Sequence, residues 1–263
     1  MPDGCTVHVL ASPQQDALGS LEKLVRVVGA TDAVPVVQKP VRPGRPRGKF
    51  TAEKVFKAIG HLLPDRAIIV DEAQTSGVML PLMTAGAPRH DVLALTGGAI
   101  GQGLPCAVGA AVACLDRPVL ALVGDGSAMY TIQALWTTAR EKLNVVAGIL
   151  NNRAYSILNV ELQRVGAAEA GPKAGDQLDL RKPALDFVQM GNGMGVPSVR
   201  ATTTAEFVTA LERAFATPGP HLIDAVVPSA ISGLQLKLLP HVMSRPAGLP
   251  VPLGRAIKRK LAP

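Results

Sequence analysis

Two short stretches carry the residue types from which a phosphate and metal site is built. Asp125 stands between glycines in Gly124-Asp125-Gly126-Ser127, and Asn151-Asn152 follow after 24 intervening residues, 127 to 150. A glycine pair lets backbone amides approach a phosphate closely, while the carboxylate between them offers the hard anionic oxygen that magnesium or calcium prefers. Magnesium is usually held by one or two protein oxygens together with the phosphates of a ligand, so one Asp and one Asn suffice. Gly-Asp-Gly alone occurs in many turns that bind nothing. Its weight comes from the pairing with Asn151-Asn152, because two consecutive amides after a buried strand need partners.

Both stretches must be held by regular elements, and the flanking patterns supply them. Apolar runs at 119–123 and 145–150 read as strands that end at the two motifs, with a helix through Trp136 between them. The same alternation continues on either side. Thr51 caps a helix to Leu63; residues 67–70 form a strand running into Asp71-Glu72-Ala73-Gln74-Thr75-Ser76, and a helix follows toward Met83. Residues 92–95 form a strand that opens into the glycine-rich run 97–103, ahead of an alanine-rich helix over 104–114. Further on, 196–200 reads as a strand, Thr203 with Glu206 as the capping box of a helix to Phe215, and 222–227 as a last strand. Continuous apolar strands separated by helices predict an α/β fold, a doubly wound parallel sheet with helices on both faces. Ligands of such sheets bind outside the carboxyl ends of the strands, where all four polar clusters fall. The clusters at 71–76, 97–103, 124–127 and 151–155 are expected to converge on one rim.

Composition narrows the function classes. Hydrophobic residues make up 48% and mean hydropathy is +0.25, yet no charge-free apolar run reaches the roughly 18 residues of a membrane span, so no membrane role is expected. The start has no basic segment followed by an apolar core, and cytoplasm is the expected compartment. Cys5, Cys106 and Cys114 form no CxxC pair; they are expected as small buried thiols. The net charge of +7 is concentrated at 42–49 and 255–260, and with aromatics at 3% no stacking platform joins them, so nucleic acid is not an expected partner. Glycines in the order Gly101, Gly103 do not complete a dinucleotide fingerprint.

The spacing of Gly124-Asp125-Gly126 and Asn151-Asn152, each behind an apolar strand, resembles the thiamine-diphosphate-binding signature of the pyruvate decarboxylase and acetolactate synthase superfamily. Residues 97–109 and 154–166 are most similar to acetolactate synthase large subunits. The resemblance implies thiamine diphosphate and Mg as cofactors, with Asp125, the Asn152 side-chain oxygen and the Ala154 carbonyl as metal ligands. It implies a diphosphate site from Gly124, Gly126, Ser127 and Tyr155, helped by Gln74 and Thr75. Gly98 would meet the aminopyrimidine, and Ile100 would sit beneath the cofactor and keep it bent, so that its amino group reaches its own thiazolium carbon.

The resemblance also implies what lies elsewhere. The family's activating glutamate belongs to a pyrimidine-binding domain of a neighbouring subunit, and Glu72, Glu141 and Glu161 do not match its position, so no catalytic residue is assigned within this chain. Residues 1–34, a strand at 5–10 and a helix at 14–28, resemble the end of the family's central domain. A linker over 35–50, the cofactor-binding domain over 51–228 and a basic tail over 229–263 follow. The expected partners are a 2-oxo acid such as pyruvate, and either further copies of the chain or a chain carrying the pyrimidine-binding domain. The chain looks like the back half of a family member: a split subunit, a truncated product or a fragment. Val160 and Glu161 stand where acetolactate synthases carry Gln-Trp, and 155–158 are closer to benzoylformate decarboxylase. Carboligation and decarboxylation both stay open, as does a non-catalytic binding or regulatory module.

Overall fold

A computed structural model describes residues 4–34, 37, 39–165, 167 and 171–228, so the basic tail expected over 229–263 lies outside the described residues. The chain divides into two compact units, one of residues 1–39 and one beginning at Pro40. Among its described residues the first holds a single helix, α1 (Ala17–Val27), capped by the Asp16 carboxylate on the amide of Gly19. The strand expected over 5–10 does not form. A strand exists through its ladder, and no described segment pairs with this one.

The second unit runs α2 (Ala52–Leu62), β1 (Ala67–Glu72), a 3-10 turn (Gln74–Met79), α3 (Leu80–Thr84), β2 (His90–Ala94) and a second 3-10 turn (Thr96–Gly98). It continues with α4 (Gly103–Ala113), β3 (Val119–Gly124), α5 (Asp125–Ala128), α6 (Ala134–Arg140) and β4 (Val145–Asn151). Then come α7 (Ser156–Arg164), α8 (Pro172–Gln177), α9 (Phe187–Gly193), β5 (Ser198–Ala201), α10 (Thr204–Ala216) and β6 (His221–Val226). The six strands form one sheet in the order β2-β1-β3-β4-β6-β5, every pair parallel, as the apolar runs predict.

Alternation along each strand feeds two cores. Leu120 and Leu122 of β3 join Val55, Phe56 and Ile59 of α2 and Phe207 and Leu211 of α10 on one face. Val119, Ala121 and Val123 join Leu104 and Ala107 of α4, Leu135 of α6 and Phe187 of α9 on the other. Burying a Phe or Leu side chain contributes about 1.5–3 kcal/mol, so these two sandwiched layers fix the register of the central strands. The outer strand β2 is different: Val92 and Leu93 stay 47% and 39% exposed.

Helix ends follow the sequence closely. Thr51 caps α2 through the amide of Lys54, and Thr203 with Glu206 forms the full capping box of α10. The basic stretch after Pro40 is engaged as well. Arg42 donates to the carbonyls of Gly60, His61 and Leu63, closing the carboxyl end of α2, and Arg45 forms an ion pair with Glu212. Cys106 and Cys114 are half-buried and Cys5 is exposed, a correction to the expectation of three buried thiols. Cys5 lies in the first unit, whose described residues enclose no core.

Candidate functional site

The sheet order reverses direction at β1, which has β2 on one side and β3 on the other, so the carboxyl ends of β1 and β3 flank the topological switch point. Strand register aligns Glu72 with Val123 and Gly124 with Leu150, which brings the ends of β1, β3 and β4 level. The chain therefore delivers Asp71–Ser76, Gly124–Ser127 and Asn151–Tyr155 to one rim.

Asp125 is the centre of that rim. It opens α5, is 2% exposed, and accepts from the amide of Gly126 at 2.9 Å and from the amide of Arg153 at 2.5 Å. Burial pushes its carboxyl up to about 6 against the pull of those amides, and no cation pairs with it among the described residues. A nearly buried carboxylate without a counter-ion has much to gain from a bound metal. The Asn152 side-chain oxygen accepts from the amide of Ala154 at 3.0 Å, and the Ala154 carbonyl from the amide of Ser156 at 2.9 Å. Arg153, between them, takes the left-handed backbone at φ 63°, a bend that turns the loop back over Asp125.

The two asparagines have separate roles. Asn151 is buried and donates to Asp224 at 2.9 Å; Asp224 in turn accepts from Arg200 at 2.8 Å, and Arg200 reaches Asp186 at 2.9 Å. The hydrogen bond from the Gln189 amide, with the Arg200 guanidinium, holds the Asp186 carboxyl below its ordinary value. Asn151 thus anchors the end of β4, leaving Asn152 to face the loop. Sequence reasoning missed Asp224, which reaches Asn151 from β6, and Arg200, which reaches Asp224 from β5.

Gly126 and Tyr155 meet directly. A Cβ on Gly126 would run into the Tyr155 ring, so only glycine admits this packing, and burial raises the Tyr155 phenol. The Tyr155 amide donates to the Leu178 carbonyl at 3.0 Å, so this donor is engaged and the ring is what Tyr155 presents. The Ser127 side chain is 7% exposed, its hydroxyl 3.7 Å from the position a Gly124 Cβ would take. Gln74, at φ 51°, begins the 3-10 turn, with Thr75 after it; the turn packs against β3 and α7. In the same turn Ser76 carries a buried hydroxyl that has no hydrogen-bond partner among the described residues.

Gly98 and Ile100 lie on the loop after β2. Gly98 is exposed at φ 70° with open space where a Cβ would stand, and Ile100 is half-buried. No described contact links them to the Asp125 cluster. The loop is tied instead to Glu72, a residue that carried no assignment in the sequence. Its carboxylate is 1% exposed and accepts from the amides of Gly101 and Gly103, while burial raises it above its ordinary value.

The donor set fits a magnesium diphosphate. No group of three or more His, Cys, Asp or Glu gathers to hold a metal among the described residues, which excludes an all-protein cage there. One buried carboxylate with neutral oxygens beside it is the arrangement that leaves the remaining positions to phosphate and water. The family model for the thiamine pyrophosphate enzyme, C-terminal TPP binding domain, matches residues 72–225. The chain belongs to this family. It is 57% identical over 88% of its length to the acetolactate synthase large subunit-like protein IlvX of Mycobacterium tuberculosis, covering 45% of that protein. It is 35% identical over 67% of its length to benzoylformate decarboxylase of Pseudomonas aeruginosa, covering 32% of it. Among solved structures, the thiamine diphosphate-dependent 4-hydroxybenzoylformate decarboxylase of Rhodococcus jostii RHA1 superposes on 81% of the chain and 40% of its own, with a TM-score of 0.67 and 31% identity. The chain thus spans less than half the length of these relatives. The parallel α/β sheet and the thiamine pyrophosphate family expected from Gly124-Asp125-Gly126 and Asn151-Asn152 are those observed. Among the described residues, no helix is long and apolar enough to cross a membrane.

Proposed function

We propose that this chain provides the diphosphate and Mg2+ half of an acetolactate synthase-like enzyme that decarboxylates 2-oxo acids such as pyruvate or joins their fragments. The observation that carries this reading is the buried Asp125 carboxylate, paired with no cation among the described residues and held by two amides at the ends of β3 and β4 beside the Asn152 oxygen. Asp125, Asn152 and the Ala154 carbonyl hold the metal. Gly124, Gly126 and Ser127 would cradle the diphosphate, helped by Gln74 and Thr75 at the end of β1, with the Tyr155 ring packed on Gly126. Gly98 and Ile100 receive the aminopyrimidine half. When bound, the thiazolium ring supplies the electron sink that bond cleavage beside a 2-oxo group requires.

The residues of this chain bind and orient; the activating carboxylate comes from a pyrimidine-binding domain in a partner chain or another copy, in a cytoplasmic assembly of at least two subunits. The half-buried Tyr155 and the exposed Ile157 and Leu158 of α7 form an apolar flank next to the Asn152–Ala154 loop in sequence. That flank favours a bulky substrate as a second reading, supported by the two decarboxylase relatives. Calorimetry with thiamine diphosphate, with and without Mg2+, tests the site: Mg2+-dependent binding is expected, and Asp125→Ala is expected to weaken it about a hundredfold. Unchanged binding by Asp125→Ala would refute the metal assignment. CO2 release from pyruvate and from benzoylformate, after mixing with a chain that carries the pyrimidine-binding domain, then separates the two substrate readings.

A further inference from the structure

The loop over 96–103 closes on itself through the Thr96 amide, which donates to the Gln102 side-chain oxygen at 3.3 Å, while its bonds to other elements gather at Gly101 and Gly103. Gly97 and Gly98 are exposed, both at positive φ, with open space where a Cβ would stand. From Gly101 onward the loop is fastened on every side. Both Glu72 oxygens take its amides, at Gly101 and Gly103; the Thr131 hydroxyl donates to the Gly101 carbonyl at 2.8 Å; and the position of a Gly101 Cβ lies 2.8 Å from Tyr130 Cβ. Gly101 sits at φ 94°, so no other residue would take this backbone without strain.

Glu72 makes no ion pair among the described residues. Its charge is met by two backbone amides in a nearly dry site, an arrangement whose loss leaves those amides unsatisfied. The same residue is the last of β1, aligned with Val123, and its carbonyl lies 4.0 Å from where a Gly124 Cβ would stand. One residue therefore touches both loops: its backbone lies against the start of Gly124-Asp125-Gly126, and its side chain grips the loop carrying Gly98 and Ile100.

We infer that Glu72 is a positioning residue that sets the height of the Gly98–Ile100 loop above the Asp125 loop, and so holds the aminopyrimidine half of thiamine diphosphate without contributing to its diphosphate half. This rests on the cofactor reading above. Glu72→Gln keeps shape and volume but turns one acceptor into a donor that faces an amide. Thr131→Val removes the bond that the Thr131 hydroxyl donates to the Gly101 carbonyl.

Calorimetry on the full chain with Mg2+ compares two probes, thiamine diphosphate and inorganic pyrophosphate. For Glu72→Gln the expected result is a roughly tenfold loss of thiamine diphosphate affinity, with pyrophosphate affinity within about twofold of wild type. A general loss of structure would weaken both probes alike, so the ratio between them reports positioning. Equal weakening of both, or no change in either, overturns the inference while leaving the cofactor reading intact. Should Glu72→Gln not fold, Thr131→Val carries the test: a selective loss for thiamine diphosphate supports the inference, and unchanged or equal losses overturn it. A wild-type chain that binds neither probe overturns the cofactor reading and this inference with it.

Discussion

The carboxyl end of β4 and the carboxyl end of β2 lie on the same rim of the same sheet and are built in opposite ways. At β4 every residue of the strand is buried, Asn151 is locked to Asp224, and the following loop folds back over Asp125. At β2 four of five strand residues are exposed, and the loop that follows is open through Gly98 until Glu72 catches it at Gly101. A central strand is fixed by the sheet on both sides, whereas an edge strand leaves half of its surroundings to be supplied from elsewhere. In the proposed function, the metal and diphosphate occupy the completed end and the aminopyrimidine occupies the end that a partner completes.

That contrast can be broken most severely at Asp224. Asp224→Ala strips the buried partner from both Asn151 and Arg200 and is expected to cost about 3–5 kcal/mol in urea unfolding. A loss under about 1 kcal/mol would show that the β4 end does not depend on this network.

Asp125 gives the next largest effect. Its carboxyl is raised to about 6 from 3.8, so folding favours the protonated form. The stability this group contributes is present in full below about pH 3.8 and is lost as pH rises through about 6, amounting to about 3 kcal/mol. Without added metal, wild type is expected to lose that stability relative to Asp125→Asn between pH 4 and pH 7, measured by thermal or urea unfolding. Parallel pH profiles for the two proteins would remove the burial argument for Asp125.

The β2 side gives the smallest effect. Val92→Ser and Leu93→Thr, on exposed positions, are expected to change stability by no more than about 0.5 kcal/mol. A loss comparable to a core substitution would mean that β2 is covered in solution by something these residues bury against, and size measurement by light scattering would identify a second copy.

The sequence made the central part of this architecture legible because apolar strands buried on both faces need no context to be recognised. The helix caps at Thr51 and Thr203 and the strand ends at Gly124 and Asn151 could be read for the same reason: each is a local pattern of residue types. What could not be read depends on distant partners. The run over 5–10 alternates like a strand, yet no described residue supplies a ladder for it. The helices α7, α8 and α9 went unpredicted because the region is rich in glycine, proline and charge, with no clear period. Glu72 looked like one acidic residue among others at a strand end. Only the fold shows that the glycine-rich run doubles back onto it, and a carboxylate closing a buried strand beside a glycine cluster is the signal that could have marked it.

The bond between Asn151 and Asp224 also sets an order of events. The two residues are 73 positions apart, so during synthesis β4 emerges long before the only carboxylate that Asn151 bonds to among the described residues. Closing such a wide loop is entropically slow and comes late. The Asp125 loop is therefore finished only when β6 docks beside β4. Until then β4 presents an exposed apolar edge, the species that a chaperone would recognise and that a shortened chain ending before Asp224 would never leave.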